Sequence, residues 1–387
     1  MTQRWIPAVF MRGGTSKGLF FEDHLLPTDP HERDAFFLAA MGSPDRYGRQ
    51  LDGMGGGLSS LSKAVIVAPS TRTDVDVDYT FAQVAVDEPV VDYASNCGNL
   101  ASAVGPFAVD QHLLTPTDGK TIVRMFNTNT GKVIHAHFDV ADGYARVEGD
   151  LTIPGVSGAG APIKLDFLDP GGSRTGALLP TGTVIDHLDT GCGRIRVSLV
   201  DAANPVVFVS AAAVGLHGSE TVAELEANPT VLTLLDELRR QAAVAMGLCD
   251  DPDDAPLSNP KVAVIAAPAT YTTLDGTVIS ATDYDISVRT ISSGQVHRAI
   301  PVTGALCTAV ARKLSGTLVA GLTPDTGTPL RIGSPSGVFA TDADVDDTGH
   351  ARSASLYRTC RRLMQGSVPH HQPDHAPPNA TTPIGPR

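Results

Sequence analysis

Cysteine is scarce in this chain, and its few cysteines lie far apart. The 387 residues include five, Cys97, Cys192, Cys249, Cys307 and Cys360, and no two form a CxxC pair or another metal-binding spacing. Small secreted domains that depend on disulfides carry many more cysteines at regular spacings. The sequence therefore predicts reduced cysteines, no metal site and a cytoplasmic protein.

Long apolar runs are also absent. The longest, around residues 206–216 and 262–267, are far shorter than the ~18–20 residues that a membrane-spanning helix needs. The first residues, MTQRWIPAVFMRGG, lack the continuous apolar stretch of a signal peptide. We therefore expect no membrane partner.

Positive charge is the third shortage. Lysine and arginine total 29 against 42 aspartates and glutamates, the net charge is −13, and no basic run offers a path for a phosphate backbone. Nucleic acid is therefore not an expected partner, and an anionic ligand needs a local positive pocket. The sequence contains neither a P-loop nor a strand–GxGxxG–helix unit, so we expect no nucleotide, flavin, nicotinamide or other cofactor.

Glycine and proline are plentiful, at 38 and 28 residues, which is typical of strands joined by tight turns. Residues 73–81, TDVDVDYTF, alternate apolar and polar side chains with the period of two that predicts a strand. Residues 228–247 predict a helix that begins after the cap Asn228 and stops at Gly247. A shorter helix is predicted at residues 31–41. The fold class is therefore mixed α/β.

Two further predicted helices resemble each other. Residues 98–104, GNLASAV, and residues 304–310, GALCTAV, share four of seven positions when they are aligned on their glycines. Both segments are rich in alanine and nearly free of charge, so each helix is expected to be buried on all sides. Because they lie about half the chain apart, they indicate two similar halves, each a sheet rolled around one buried helix. Chance similarity between two alanine-rich helices is the alternative.

The boundary between the halves is predicted near residues 178–182, LLPTG, after a stretch rich in proline and glycine. It divides the chain into an N-terminal half, 1–180, and a C-terminal half, 181–366, whose last strand is expected either there or back in the first half. Residues 367–387 hold six prolines and predict a disordered tail, in which His370, His371 and His375 are expected to bind no physiological metal. A homodimer is an open expectation.

The segment before the first buried helix carries candidate chemistry. Ser95-Asn96-Cys97-Gly98-Asn99 is a polar cluster at a predicted helix N-terminus, where unpaired N–H groups and the helix dipole favour a bound carboxylate. A thiol at a helix N-terminus ionises more readily and can donate or accept a proton. The alternative is a buried structural cysteine with Asn96 as an ordinary cap.

Two glycine-rich stretches precede that helix, MRGGTSKG at residues 11–18 and DGMGGGLSSLSK at residues 52–63. They offer backbone N–H groups, hydroxyls and cations, a mixture that suits a polycarboxylate. Lys63 stands directly before the apolar residues 64–68, and burial at the mouth of a core strand favours the neutral amine of a lysine. A lysine that extends to the surface is the alternative.

Several motifs resemble the PrpF family of unsaturated-tricarboxylate isomerases, in the diaminopimelate-epimerase-like superfamily. The motifs are MRGGTSKG (11–18), GSPDRYGRQLDGMGG (42–56), SKAVIV (62–67), DVDY (76–79), SNCGNLASAVGPFA (95–108), LLPTG (178–182), Asn204-Pro205 and SPSG (334–337). The resemblance implies two pseudo-symmetric α/β domains with the active site in the cleft between them. It implies one of four activities: 2-methylaconitate cis–trans isomerase, aconitate isomerase, methylitaconate isomerase or 4-oxalomesaconate tautomerase.

The resemblance places the family's catalytic lysine and cysteine on Lys63 and Cys97. Lys63 is expected to carry the proton, while Cys97 either acts as a second acid–base or positions the substrate. Residues in the glycine-rich loops, at the two helix N-termini and in the SPSG turn are predicted to bind a small polycarboxylate substrate. They are Arg12, Thr15, Ser16, Lys17, Ser60, Ser62, Ser95, Asn96, Gly98, Asn99, His297, Thr303, Gly304, Ser334 and Ser336.

One position departs from the epimerases of the superfamily, which place a cysteine before each helix. Here Pro301 stands where the second cysteine belongs, and Cys307 lies one turn inside the helix, where it is expected to pack in the core. This argues against amino-acid racemisation and for a proton moved within an achiral conjugated acid.

The leading expectation is 2-methylaconitate cis–trans isomerisation, in the methylcitrate route of propionate breakdown. An aconitate Δ-isomerase and a 4-oxalomesaconate tautomerase are alternatives within the same chemistry. A non-catalytic carboxylate-binding accessory protein of a dehydratase is the alternative from another class.

Overall fold

The computed structural model describes residues 3–93, 96–256, 259–292 and 295–371. It is a mixed α/β fold with one large sheet and few helices. Within these ranges, no helix has both the length and the apolar character needed to cross a membrane.

The strands are β1 (Gln3–Gly13), β2 (Ser16–Glu22), β3 (Lys63–Pro69), β4 (Val77–Val84), β5 (Val91–Asp92), β6 (Gly119–Asn127), β7 (Lys132–Ala141), β8 (Tyr144–Ala145), β9 (Leu151–Thr152), β10 (Ala159–Gly160), β11 (Ile163–Leu168), β12 (Asp186–Thr190), β13 (Gly193–Asp201), β14 (Pro205–Ser210), β15 (Lys261–Ala266), β16 (Tyr271–Thr272), β17 (Val278–Ile279), β18 (Ile286–Ser292), β19 (Gln295–Val296), β20 (Leu330–Ser334), β21 (Gly337–Val345), β22 (Ala351–Arg358) and β23 (Cys360–His371). The helices are α1 (Pro30–Met41), α2 (Gly98–Asp110), α3 (Val222–Glu226), α4 (Pro229–Ala245), α5 (Val302–Lys313) and α6 (Leu318–Leu322).

One set of eight strands surrounds α2. The strands pair in the order β23–β1–β2–β3–β4–β6–β7–β11, and the ladders are antiparallel except for β2–β3 and β4–β6, which are parallel. α2 packs against β1, β2, β3, β6, β7 and β11. The rings of Phe107 on α2 and Phe20 on β2 lie 5.5 Å apart between their centroids. The first predicted central helix is therefore enclosed by sheet.

A second set repeats this arrangement around α5. Its order is β12–β13–β14–β15–β18–β20–β21–β22, and the parallel ladders fall at the same two places, β14–β15 and β18–β20. α5 packs against β13, β14, β21 and β22. The repeated order confirms the duplicated, pseudo-symmetric architecture predicted from the two helices.

The antiparallel ladder between β11 and β22 joins the two sets into one sheet. The main apolar core contains residues of both central helices, including Val104 and Phe107 of α2 and Leu306 and Val310 of α5. Because sheet and core are both continuous between the halves, the domain boundary near residue 180 stays a prediction.

Two further helices, α1 and α4, cover the outside of the sheet. α1 begins after the Asp29 cap, matches the helix predicted at residues 31–41, and packs on the outer faces of β1, β2 and β3. α4 confirms the helix predicted after Asn228, whose side chain accepts a hydrogen bond from the backbone N–H of Val231 at 3.2 Å. α4 packs on the outer face of the second set. The outer faces of the sheet therefore contact α1 and α4, and the inner faces contact the central helices α2 and α5.

The strand predicted at residues 73–81 is displaced, since β4 begins at Val77 and ends at Val84. Asp76 precedes the strand and holds Arg124 of β6, because its carboxylate accepts from the Arg124 backbone N–H at 2.7 Å and from its guanidinium at 2.6 Å. The alternation of polar and apolar residues was correctly detected, but this ion pair places the start of the strand later.

The prediction of a disordered tail from residue 367 places its start too early in the sequence. β23 runs through His371 and pairs with β1, so residues 367–371 belong to the sheet, and the last strand joins the set around α2. Val368 is buried, and the His370 ring lies 3.0 Å from the Glu32 carboxylate on α1. The high proline content hid these contacts, because an edge strand tolerates proline. Residues 372–387, including His375, lie outside the described residues.

Candidate active site

The N-termini of the two central helices meet. Gly98, the first residue of α2, lies so close to Val302, the first residue of α5, that a Cβ at Gly98 would overlap Val302 Cγ1. Cys97 and Pro301 are the two N-cap residues, and neither caps its helix with a side-chain hydrogen bond. The unpaired N–H groups of both first turns therefore face a shared region, where the helix dipoles favour an anion.

Lys63 lies at this region on the inner face of β3. It alternates in phase with Val65, which packs in the core around α2. Its Nζ donates to Oε1 of Gln83, the residue opposite it on β4, and lies 4.8 Å from the centroid of the Phe81 ring. The residue is 7% exposed, and burial lowers the pKa of Lys63, while the neighbouring Cys97 opposes part of that effect. Its neutral amine therefore forms at lower pH than that of an exposed lysine.

Cys97 stands partly buried between Lys63 and the start of α2. Its Sγ lies 4.0 Å from Oγ of Ser16, which projects from β2 toward the same helix. The neighbouring Asn96 accepts a hydrogen bond from the Tyr79 hydroxyl at 3.1 Å. Burial raises the pKa of Tyr79, which keeps its hydroxyl a neutral donor. The thiol thus shares one helix tip with an amine, an amide and a hydroxyl.

Asn99 connects the first turn of α2 to two other segments. Its Oδ1 accepts from the backbone N–H of Thr15 at 3.4 Å and from Nε of Arg358 at 3.1 Å, and its Nδ2 donates to Oγ1 of Thr15 at 3.0 Å. Gly14 permits this contact, because a Cβ at that position would overlap Asn99 Oδ1. The loop between β1 and β2 is therefore held directly over the helix tip.

Arg358 supplies a buried positive charge beside these groups. It ends β22, is 4% exposed, and places its guanidinium 4.1 Å from the centroid of the Phe339 ring. Burial lowers the pKa of Arg358 to about 9, and nearby Cys97 acts in the opposite direction. The site therefore combines a lysine, an arginine, a thiol and two helix N-termini.

The family profile described as "PrpF protein" matches residues 3–371. The chain belongs to the PrpF family. This confirms the resemblance inferred from the motifs, over the whole of the described structure.

Members of the PrpF family with this fold are isomerases by name. The 3-methylitaconate isomerase of Eubacterium barkeri is 42% identical over 372 residues, covering 95% of this chain and 97% of that protein. The 2-methyl-aconitate isomerase of Cupriavidus necator is 38% identical over 382 residues, covering 94% of this chain and 96% of that protein. A crystal structure of methylitaconate-delta-isomerase matches with a TM-score of 0.87 at 41% identity, covering 96% of each chain.

Two cations expected at the PrpF-family site, Arg12 and Lys17, are held elsewhere by the structure. The Arg12 guanidinium donates to the backbone oxygens of Gly14 at 2.9 Å and Thr359 at 3.0 Å. Lys17 lies over the Phe10 ring, 5.4 Å from its centroid, on the outer face of the sheet. The reason is strand alternation, since both residues are one position out of phase with those that face α2.

Ser62 is also directed away from the site, and Ser60 lies in the turn that precedes it. The buried Ser62 hydroxyl accepts from Nε2 of Gln50 at 2.6 Å, one position out of phase with Lys63. Ser60 is partly buried in the short 3₁₀ turn Ser59–Leu61 that leads into β3. Ser95 lies outside the described residues.

The predicted residues of the second half flank α5. Thr303 and Gly304 lie in its first turn. The backbone N–H of His297 donates to the Thr290 oxygen at 2.8 Å, and burial, aided by the charge of Lys261, lowers the pKa of His297 to about 4. The second half therefore brings these residues to its own helix tip.

The SPSG turn fastens the segment that precedes α5. The Ser334 hydroxyl donates to the backbone oxygen of Gly337 at 2.9 Å, and the Ser336 hydroxyl donates to that of Arg298. Both hydroxyls are thus used within the turn and its neighbour, which gives them a positioning role.

Cys307 packs in the core, as predicted. It is fully buried, its Sγ donates to the backbone oxygen of Val200 at 3.4 Å, and burial raises its pKa. Pro301 occupies the N-cap position in α5 that Cys97 occupies in α2. Across the described ranges, no group of three or more His, Cys, Asp or Glu side chains is arranged to hold a metal ion.

Sequence reasoning missed Arg358, Gln83 and Tyr79. The alternation along β22 could have indicated Arg358. Ala354, Leu356 and Arg358 lie on the same buried face of the strand, and an arginine on a buried face is unexpected. Gln83 gives no such local signal, since its role depends on its register opposite Lys63.

Proposed function

We propose that this protein is a cofactor-independent isomerase that moves a proton within an unsaturated tricarboxylate, with 2-methylaconitate cis–trans isomerisation as the leading reaction. The observation that carries the proposal is the buried Lys63 amine beside Cys97 at two meeting helix tips. The named activity of one relative, on 2-methylaconitate, supports a tricarboxylate substrate, and that of the other, on the dicarboxylate 3-methylitaconate, supports the wider class of unsaturated polycarboxylates. A role in propionate breakdown in the cytoplasm is part of the same proposal.

The proposed reaction begins with the neutral amine of Lys63. It removes an acidic proton from the carbon γ to a carboxylate, and the electron pair left behind spreads through the conjugated system as a dienolate. The weakened C=C bond then rotates or shifts, and a proton returns to carbon from the Lys63 ammonium. If the Cys97 thiol supplies it instead, the resulting thiolate then takes back the proton held by the Lys63 ammonium. Racemisation of an amino acid is disfavoured, because Pro301 offers no second thiol.

Negative charge that develops on the carboxylate oxygens is stabilised by fixed positive groups. The N–H groups of α2 and α5 are held in place by their helices, and the Arg358 guanidinium is held by Asn99 and Phe339. A well-placed donor of this kind contributes about 3–4 kcal/mol to a transition state. In the proposed reaction these donors stabilise the negative charge of the dienolate.

Replacing Lys63 with methionine tests the proposal. K63M keeps the length of the side chain and its contact with Phe81 but has no basic group, so we expect turnover to be lost while the melting temperature is retained. Lys120→Met is the matched control, because Lys120 is exposed on β6. Proton NMR in D₂O with 2-methylaconitate, aconitate, methylitaconate and 4-oxalomesaconate measures both isomerisation and deuterium uptake.

The same panel distinguishes the alternatives. Uptake of deuterium into aconitate or 4-oxalomesaconate in place of 2-methylaconitate identifies an aconitate Δ-isomerase or a tautomerase. Binding of a tricarboxylate without uptake in any substrate supports the non-catalytic accessory protein. Normal turnover in K63M contradicts the role proposed for Lys63.

A further inference from the structure

A second lysine occupies the place in the C-terminal half that Lys63 occupies in the N-terminal half. Lys63 begins β3, and Lys261 begins β15. Each of these strands is the second member of a parallel pair. β3 lies beside β2, with Ala64 opposite Leu19. β15 lies beside β14, with Lys261 opposite Val206. Each then pairs antiparallel on its other side, with β4 and β18. The internal symmetry therefore relates the two lysines.

Lys261 also faces the same way as Lys63. Along β15, Ala263 and Ile265 belong to the main core around the central helices, whereas Val262 and Val264 belong to the outer core under α4. Because side chains alternate along a strand, Lys261 is in phase with the residues that face inward. It is partly buried, and burial lowers its pKa to about 8.

The segment that leads into α5 brings a second nitrogen group to Lys261. The backbone N–H of His297 donates to the Thr290 oxygen at 2.8 Å, and Thr290 lies opposite Ala263, two positions along β15 from Lys261. His297 precedes Val302, the first residue of α5, by five positions. Val302 in turn contacts Gly98 at the tip of α2. By the symmetry of the two strand sets, Lys261 therefore holds the position relative to α5 that Lys63 holds relative to α2, with His297 on the neighbouring segment.

The two halves differ in the chemistry available beside each lysine. Lys63 has the Cys97 thiol at the adjoining N-cap, and Lys261 has Pro301 at the corresponding N-cap, which offers no proton. An ammonium and an imidazole N–H can both donate to a carboxylate oxygen. This half therefore offers N–H donors to a carboxylate but no thiol at its helix tip.

We propose that Lys261, with His297 beside it, binds the substrate carboxylate that lies farthest from the reacting carbon. Duplication has thus produced one half-site that transfers protons and one that anchors the substrate. The identity of the natural ligand rests on the proposed function, but the subsite requires only a polycarboxylate.

Calorimetric titration with tricarballylate, a saturated tricarboxylate that cannot isomerise, tests the subsite directly. Lys261→Met removes the charge at nearly constant length, and we expect its affinity to fall about tenfold or more, as for loss of a hydrogen bond to a charged group. Lys261→Arg should restore much of the binding, and Lys120→Met should bind as the unaltered protein does. Melting curves of all variants verify that they fold.

Kinetics separate anchoring from proton transfer. We expect K261M to raise KM about tenfold with kcat within about twofold, whereas K63M loses kcat. Equal affinity for tricarballylate in K261M and the unaltered protein overturns the subsite. So does an unaltered protein that fails to bind tricarballylate, or a K261M variant with lowered kcat at unchanged KM. If the unaltered protein binds tricarballylate through Lys261 but isomerises no member of the panel, the subsite stands and the proposed function fails.

Discussion

At the scale of single residues, Arg358 brings a positive charge to the tip of α2 from a distant part of the chain. Its Nε reaches Asn99 across 259 positions of sequence. The guanidinium is buried against Phe339, where water cannot screen its charge. In the proposed reaction, negative charge that develops on a substrate near Cys97 therefore meets a fixed cation.

Removing the Arg358 guanidinium should slow the reaction more than it destabilises the fold. We expect Arg358→Met to lower kcat/KM for the tricarboxylate substrate about 100-fold or more, because a buried donor to a developing anion is lost. Arg358→Lys should recover part of the rate. Steady-state kinetics measure both variants.

Arg352→Met is the matched control on the same strand. Arg352 is exposed and reaches the Asp346 carboxylate at 3.4 Å, so its loss should leave kcat/KM unchanged. Rates in R358M equal to those of R352M would show that Arg358 plays no part in catalysis.

At the scale of elements, the site depends on how closely α2 and α5 approach. Gly98 and Gly304 are the glycines aligned in the two helix sequences, yet their surroundings differ. A Cβ at Gly98 would overlap Val302, whereas the nearest atom to a Cβ at Gly304 is Pro301 Cδ at 3.8 Å. Glycine is thus a packing requirement in α2 and not in α5.

Alanine at the two glycines should therefore have opposite effects. Gly98→Ala is expected to lower the melting temperature and the activity, because Val302 must move and the helix tips separate. Gly304→Ala should be neutral or should stabilise the protein by up to about 1 kcal/mol, since alanine favours a helix interior. Thermal melting and steady-state rates measure both.

The double variant shows whether the contact itself is responsible. Val302→Ala combined with Gly98→Ala removes the overlapping methyl groups, so stability should recover relative to Gly98→Ala alone. An equal loss in the single and double variants would mean that Gly98 is needed for another reason.

At the scale of the whole molecule, the end of the chain completes the sheet around α2. β23 pairs with β1 from Gln3↔His371 to Gly13↔Cys360. β22, which precedes it, joins the two strand sets and ends at Arg358. The first half therefore needs the last described residues both for its sheet and for its site.

Truncation at two points separates the strand from the residues after it. A chain that ends at Gly366 loses the pairing of residues 367–371, including buried Val368 and the contact of His370 with Glu32. Burial of Val368 alone contributes about 2 kcal/mol, so the melting temperature should fall by several degrees. A chain that ends at His371 should melt as the full chain does. Equal melting of the two truncated chains would contradict a structural role for residues 367–371.

Much of the candidate site was predictable because its signals are local. Lys63 stands directly before an apolar strand, and Cys97 stands directly before a glycine that opens a helix, so strand period and helix capping make them candidates, and the family resemblance then assigns their expected roles. The directions of Lys17 and Ser62 were harder to predict, because a shift of one position in a strand reverses the face that a side chain occupies. Arg358 and Gln83 depend on register between separate strands.

The sequence by itself determined the two buried helices, the duplication and the family, because apolar periodicity, capping residues and short motifs are properties of neighbouring residues. The tertiary structure alone decided that the two helix tips meet, that Arg358 reaches Asn99, that β23 returns to β1 and that Lys261 mirrors Lys63. These are contacts between residues far apart in the chain. They form when both helices are buried in one continuous sheet, and no local pattern encodes them because each depends on the register between distant strands.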